Sequence, residues 1–471
     1  MGNADPRDEE IERLRRENEQ LKRRVGELEG RIAELEKKLE EALRGQKRQT
    51  APFSKGPPKE NPKPRGRKPG EDYGTHARRE APREIDEVIP VPLPEHCECG
   101  GEVEYQQTVE QFQEEIPRKP IYRRFDIDWG RCRRCGKPIR PRHALQTSDA
   151  IGAAAPQLGP NAQAMTALLK DKFGVSYGDV SGIFRDFFGI GLSRGGAAHI
   201  VMRVAERVEA AYSGILVVVR RSRILYPDET GWKVGGLLQW MWDFVTRTAT
   251  AYVIRDSRGH DVPEEILGRD WSGTMIHDGW APYDFFEQAD HQQCVRHIQA
   301  RCKRLLEVAT RGAVRFPRAV LAWAAALFGV RERRDADQLS KHGLAVAIGR
   351  MKARLDRLVE WNLTNPANLK LAKHLAAHRD DWFLFLDRPG IQPTNAPAER
   401  ALRPAIVNRK LFGGNRDPRG AWALERLASV FTTGAQRGIA IFEYLARVLC
   451  APPAERHRVA CELLGLPLPA Q

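Results

Sequence analysis

Two short apolar runs in this chain, Ile224-Leu225 and Met275-Ile276, lead straight into acidic motifs. These are Tyr226-Pro227-Asp228-Glu229-Thr230 and Ile276-His277-Asp278-Gly279-Trp280. A short apolar run that closes on a charge reads as a buried strand with a carboxylate at its end. A third acidic motif, Asn395-Ala396-Pro397-Ala398-Glu399-Arg400, opens a helix-like stretch far downstream. Together they constrain the fold more than any other feature. They ask for a sheet whose strand ends present Asp228 and Asp278 to a glutamate, Glu399, on a distant helix. Carboxylate oxygens suit hard divalent cations, and a pair of cations can clamp the attacking and leaving oxygens of a phosphodiester displacement.

Neighbouring residues on a strand point to opposite faces, so Asp228 and Glu229 cannot serve one cation. Asp228 lies nearer the apolar run and is the choice; Glu229 is the fallback, and Thr230 shares a face with Asp228 if the strand persists. Strand-like runs at 223–227, 238–245, 249–255 and 274–277 predict a β-meander before the second aspartate. Another short run follows at 285–289. A helix is then expected to open near Gln292 and to carry Cys294, Arg296 and His297. Cys294 and His297 lie one helical turn apart, which fits a buried structural pair or a pair that orients phosphate behind the carboxylates; a second zinc is the weaker reading. Residues 315–386 repeat Ala, Leu, Arg and Trp at helical spacing and read as an all-helical insertion. Trp323, Trp361 and Trp382 are assigned to its core in preference to base stacking. Glu399 and Arg403 stand four apart, as in an ordinary helix-surface ion pair, which is the plainer reading of Glu399. Arg400, Arg403, Arg409 and Lys410 are candidate phosphate contacts, since a guanidinium presents a two-pronged fork to phosphate. One or two of them can instead neutralise the carboxylates.

The upstream third has a different grammar. Ile11, Asn18, Val25, Ile32 and Leu39 fall at one heptad position and Leu14, Leu21, Leu28, Leu35 and Ala42 at another. β-Branched residues at the first with Leu at the second favour a parallel two-stranded coil, and the lone Asn fixes register. A homodimer or higher oligomer is therefore expected, against a single charged helix lying on the chain's own surface. Between Arg44 and Gly70 stand nine Lys/Arg and one acidic residue, over half of a formal net charge of +14. Prolines and glycines interrupt that segment, so it reads as an extended linker. Inside it, Lys63-Pro64-Arg65-Gly66-Arg67-Lys68-Pro69 resembles an AT-hook, in which arginines such as Arg65 and Arg67, with Lys68, follow a narrow minor groove. A solvated basic tether is the alternative.

Cys97 and Cys99, then Cys132 and Cys135, form two pairs, each trailed by glycine. Four thiolates on two tight turns can close one structural zinc site, with His96 as a substitute ligand for Cys97. Alternating and aromatic residues between the pairs (Val103, Tyr105, Val109, Phe112, Tyr122, Phe125, Ile127, Trp129) predict strands and a zinc ribbon. A metal-free β-module with free thiols is the rival. Helical periodicity at 161–173, 177–188 and 193–211, with Ser193 as an N-cap, gives a region that is either a helix-turn-helix reader or ordinary core. The best apolar run, 320–330, is about half the ~20 residues a bilayer needs, and the opening residues are polar. A cytoplasmic, nucleoid-associated protein with reduced cysteines is expected.

Several motifs are specific in combination. Asp228-Glu229-Thr230 with Trp232, Asp278-Gly279-Trp280 with Tyr283, and His291-x-x-Cys294-x-x-His297 come first. Asn395-x-x-x-Glu399-Arg400-Ala401-Leu402-Arg403-Pro404, Asn408-Arg409-Lys410 and Phe412-Gly413-Gly414 follow in order. Over 84–447 the chain resembles the insertion sequence 66 family of bacterial transposases. The resemblance implies an RNase H-like fold interrupted by the helical insertion, and Asp228, Asp278 and Glu399 as a Mg²⁺ (or Mn²⁺) triad with two ions per site. It also implies double-stranded DNA as partner and leaves room for accessory transposition proteins. Relatives commonly carry two asparagines before the glutamate; Thr394-Asn395-Ala396 keeps one, a departure that bears on local hydrogen bonding.

The expected layout of this multidomain α/β chain is a coiled coil (9–44), a basic linker (45–83), a zinc-binding module (84–146) and a helical DNA-binding-like region (150–215). A core in two parts (218–312 and 389–447) around the insertion (313–388), and a tail (448–471), complete it. The expected activity is DNA cleavage and strand joining. A catalytically silent or partner-dependent DNA-binding protein, and a structure-specific nuclease, are the alternatives.

Overall fold

The computed structural model describes residues 6–46, 81–96, 98–114, 116, 119–151 and 157–469. The hook-like motif with Arg65, Arg67 and Lys68, and the first zinc candidate Cys97, lie outside the described residues. The heptad segment forms one 41-residue helix, α1 (Pro6–Gln46). Leu14, Leu21, Val25, Leu28, Ile32 and Leu35 run along it, each about half exposed.

The cysteine module holds two tight turns. One is framed by a bridge between His96 and Glu102, with Gly100 at positive φ. The other joins β1 (Gly130–Arg131) to β2 (Pro138–Ile139), where Cys132 N–H donates to the Lys137 carbonyl (2.9 Å) and Gly136 N–H to the Cys132 carbonyl (2.8 Å). The strands expected between the pairs are absent among the described residues of 103–129. Tyr105, Val109, Phe112, Tyr122 and Trp129 are exposed there, so alternation alone found no partner strand to pair with.

Helices α2 (Pro160–Ala167), α3 (Tyr177–Phe188), α4 (Arg194–Arg207) and α5 (Glu209–Arg220) follow, with a π-turn at Leu168–Lys172 prolonging α2. Ser176 and Ser193 cap α3 and α4, their hydroxyls accepting from Asp179 N–H (3.1 Å) and Gly196 N–H (3.0 Å). The third predicted helical segment is two helices, because Val208 breaks the helix and α5 restarts and runs on to the sheet.

The sheet comprises β3 (Ile224–Val234), β4 (Leu237–Val245) and β5 (Thr250–Arg255), then α6 (Asp261–Leu267), β6 (Thr274–His277) and β7 (Asp290–Gln293). Its order is β5-β4-β3-β6-β7. The first three strands are antiparallel; β6 runs parallel to β3, and β7 parallel to β6. Run 285–289 is no strand: the 3₁₀ turn Ala281–Phe285 and the loop after it occupy that stretch, and the strand is the polar Asp290–Gln293. The next helix therefore opens later than Gln292, at α7 (Val295–Val308), with Cys294 as its N-cap residue.

Alternation divides the sheet into two faces. Leu225, Trp242, Phe244 and Met275 enter a core with α4, α5 and the last helices. A side chain such as Phe244, fully buried, contributes about 2–3 kcal/mol by leaving water. Tyr226, Val245 and Ile276 face the helices α8 (Arg315–Asp335), α9 (Lys341–Val359), α10 (Pro366–Ala377) and α11 (Leu384–Asp387). Segment Arg311–Asp335 is longer than the apolar run counted from sequence, and by length and composition alone it would suffice to cross a membrane. Here it serves as a core helix: Phe316, Val320, Trp323 and Leu327 are buried, Trp323 edge-on to Trp382 at 5.9 Å. Trp361 departs from its expected core role and is 42% exposed.

Helix α12 (Ala396–Phe412) lies on the second face, where Leu402 packs with Trp232, Met241 and Tyr252. Helix α13 (Pro418–Gln436) covers the β5 edge, followed by α14 (Ile441–Cys450) and α15 (Arg456–Glu462). Glu425, Ser429 and Thr433 accept from the N–H groups of Ile254 (2.6 Å), Tyr252 (2.8 Å) and Thr250 (3.0 Å). A four-residue helical step rises about 6 Å and a two-residue strand step about 6.6 Å, so the two rows stay in register.

Candidate active site

Asp228 lies within β3, which persists through Thr230 to Val234, so Asp228 and Thr230 share the face beneath α12. Glu229 points the other way. Its carboxylate accepts from Arg258 (Nε 3.0 Å, Nη2 2.7 Å) and from the Tyr283 hydroxyl (2.9 Å), and its side chain is 3% exposed. Arg258 is in turn sandwiched between Trp240 and Trp280, 4.5 and 3.9 Å from the ring centroids. Glu229, the fallback, is therefore engaged in joining β3 to the loop after β6.

That loop presents Asp278. Trp280 N–H donates to the Asp278 carboxylate (3.0 Å), and Trp280 Nε1 reaches the Arg258 carbonyl (3.3 Å). Gly279 has φ of +85°, and a Cβ there would meet Gln293 Oε1 and the His374 ring at 2.6 Å, so only glycine fits this turn. Below it His277 accepts from Gly279 N–H (3.1 Å) and contacts His291 (3.0 Å).

Glu399 stands in the first turn of α12, whose start is tied to three other elements. Cys294 N–H donates to the His277 carbonyl (2.7 Å) and Val295 N–H to the Pro393 carbonyl (2.9 Å). Asn395 donates its backbone N–H to Cys294 Sγ (3.2 Å) and its side-chain amide to the Pro227 carbonyl (2.8 Å). The single asparagine thus links the helix carrying Glu399 to the strand carrying Asp228. Glu399 faces His297 Nε2 at 3.7 Å. Arg409 is turned back onto β3, donating to Thr230 Oγ1 (2.9 Å) and to the Gly231 carbonyl. Arg400, Arg403 and Lys410 are exposed.

The electrostatics show these groups acting on one another. Burial, the adjacent Glu229 and Asp278 push the Asp228 carboxyl up to about 7, opposed by the Glu229 amide and by His297. The Cys294 thiol beside it, with Asp278 and Glu399, pushes the His297 imidazole up to about 9. Carboxylates therefore outnumber the cations beside them, since Arg258 is committed to Glu229. An all-oxygen set short of positive charge suits a hard divalent cation. Among the described residues, the group of three ligand atoms that lie within 4.8 Å of one another is Cys294, His297 and Glu399, a mixed set that a softer ion would suit; Asp228 and Asp278 stand outside it.

Two features escaped the sequence reading. Asp243 on β4 pairs in register with Asp228 and is fully buried. Its signal was an aspartate inside the apolar run Trp240-Met241-Trp242-Asp243-Phe244-Val245. A cleft of about 1040 Å³, lined by Tyr226, Pro397 and Arg400, also carries Arg221, Arg223 and Arg247. Its signal was the basic run Arg220-Arg221-Ser222-Arg223. In the cysteine module, Cys99, Cys132 and Cys135 are free thiols, and Cys132 is lowered by hydrogen bonds from the backbone of Cys135 and Arg134. Among the described residues no three of that module's ligands lie within such mutual reach.

No curated protein matches the chain. A family model described as "Transposase IS66 family" matches residues 156–423, more than half of the chain, and the chain belongs to that family.

Proposed function

We propose that this member of the IS66 transposase family cuts the ends of an insertion sequence and joins the freed 3′-hydroxyls to target DNA. One observation supports the reading: Glu399 of α12 faces His297 Nε2 at 3.7 Å, and Asp228 of β3 and Asp278 of the β6 loop are near enough for their charges to interact with that imidazole. The sheet supports an RNase H-like core, with three antiparallel strands, two parallel additions and a carboxylate-bearing helix on one face. Asp228, Asp278 and Glu399 would hold two Mg²⁺ (or Mn²⁺) ions, which supply charge stabilisation and a more acidic nucleophile when bound. In the first step water attacks phosphorus and the element's 3′-oxygen leaves; in the second that 3′-hydroxyl attacks a target phosphodiester and displaces a strand end. His297, charged near neutral pH, orients Glu399. Arg221, Arg223, Arg247 and Arg400 line a groove for backbone phosphates, whose contacts position DNA without reading it. Arg409 supports β3 through its Nη1, whereas Arg403 and Lys410 are exposed for contact with phosphate. Cys97, Cys99, Cys132 and Cys135 hold one structural zinc, α1 brings two copies and hence two DNA ends together, and the protein acts at the nucleoid.

The test is product analysis on labelled duplex taken from the DNA flanking the coding region, with Mg²⁺ and with Asp278→Asn as control. Rejoined strands that vanish in the variant, with end binding retained, support the reading. Cut strands alone would indicate a nuclease, and binding without cleavage a DNA-binding protein that does no chemistry.

A further inference from the structure

Asp243 breaks the rule of its own strand. Aspartate is disfavoured in strands, and charged residues are almost never fully buried without a partner. Yet Asp243 sits at 0% exposure between Trp242 and Phe244, and among the described residues its carboxylate oxygens have no side-chain hydrogen-bond partner, only the backbone amides of Asp228 and Asp243 nearby in poor geometry. The groups that bear on it most, after burial itself, are the carboxylates of Asp228 and Glu229 and the backbone amides of Asp228 and Asp243; no basic side chain stands among them. Tyr252, its partner on β5, turns its hydroxyl to the Ala401 carbonyl (2.7 Å) and Thr432. Places where a sequence violates local consistency without compensation are where function is expected.

Register gives the direction. Asp243 is directly opposite Asp228, so both side chains rise from the same face of the sheet, under α12. Directly opposed residues have Cβ atoms about 4.5–5.5 Å apart, within which two carboxylates can bind one cation. We propose that Asp243 is a fourth carboxylate of the divalent-cation site, binding the ion that Asp228 binds from the β4 side. This rests on the two-cation reading above and adds to it a ligand outside the three acidic motifs. It also accounts for a buried carboxylate that meets two other carboxylates and backbone amides but no basic side chain.

The experiment is a Mn²⁺ titration of the full chain, without DNA, followed by calorimetry and by the metal-induced rise in melting temperature. Wild type, Asp243→Asn, Asp243→Leu and Asp278→Asn are compared. Asp243→Asn is expected to weaken Mn²⁺ binding about tenfold or more while the metal-free protein melts no lower than wild type. Asp243→Leu, apolar in an apolar strand, should show the same loss and keeps the test open if the asparagine variant misfolds. Wild-type Mn²⁺ affinity in both Asp243 variants, with affinity lost in Asp278→Asn, overturns the inference and leaves the two-cation reading standing. Wild-type affinity in all three overturns both.

Discussion

Arg258 lies between Trp240 and Trp280 and holds Glu229, so its removal strips a buried carboxylate of its counter-charge. Arg258→Ala should lower unfolding free energy by about 2 kcal/mol, measured in denaturant, because Glu229 is left with Tyr283 alone. Cleavage should fall about tenfold as well, since the Trp280 turn that presents Asp278 loses its anchor. The pH behaviour follows from Asp228 and His297, both raised in the folded state, to about 7 and about 9. Between about 4 and 7 the folded chain keeps a proton on Asp228 that the unfolded chain has released, and between about 6.5 and 9 it keeps one on His297. Their stabilisation is complete at low pH and is lost as pH rises through each folded value. Without divalent ions, melting temperature should therefore carry a component that declines from pH 5 to 9. Mn²⁺ competes with the Asp228 proton, so its affinity, read by calorimetry, should strengthen as pH rises from 6 to 8. An affinity flat across that range would contradict the assignment.

Among the elements, α13 shows how a distant segment finishes the sheet. Glu425 receives the Ile254 N–H and pairs with Arg255 and Arg426, so Glu425→Ala orphans a backbone donor and leaves Arg255 with Glu265 alone and Arg426 with Glu209 alone. A loss of about 2 kcal/mol is expected in denaturant titration. Ser429→Ala, which removes one neutral acceptor, should cost about half as much. Neither side chain announces this role in sequence, because a buried polar residue on a helix gives no sign of which strand edge it meets. The strand carrying Asp228 and the strand leading to Asp278 were legible because apolar residues precede the acid. β7 was not: Asp290-His291-Gln292-Gln293 has no apolar pattern, and it is buried through side-chain hydrogen bonds, Gln292 accepting from Phe385 N–H (2.8 Å) and Gln293 contacting His378 (3.1 Å). The apolar run that masqueraded as that strand belongs to a turn whose Phe286 is buried beneath it.

At the scale of the whole molecule, a long helix, a cysteine module, a helical region and a two-faced sheet follow one another in a chain of the IS66 transposase family. The family was readable from motif order, while Asp243 and the arginine cleft needed the register of β3 against β4 and the position of α12. Self-association is the claim that belongs to this scale. Leu14, Leu21, Leu28 and Leu35 expose one stripe of α1, and two aspartates at Leu21 and Leu28 should turn the full chain from dimer or higher oligomer into monomer in sedimentation equilibrium. Joining of paired ends should fail in that variant while single-end cleavage persists. The central claim, that carboxylates from β3, the β6 loop and α12 form a cation site, is tested most directly by anomalous X-ray scattering from crystals grown with Mn²⁺ and end DNA. Two peaks about 4 Å apart, ligated by Asp228, Asp278 and Glu399, are predicted. Manganese absent from that site, or held only by Cys294, His297 and Glu399, would contradict the account.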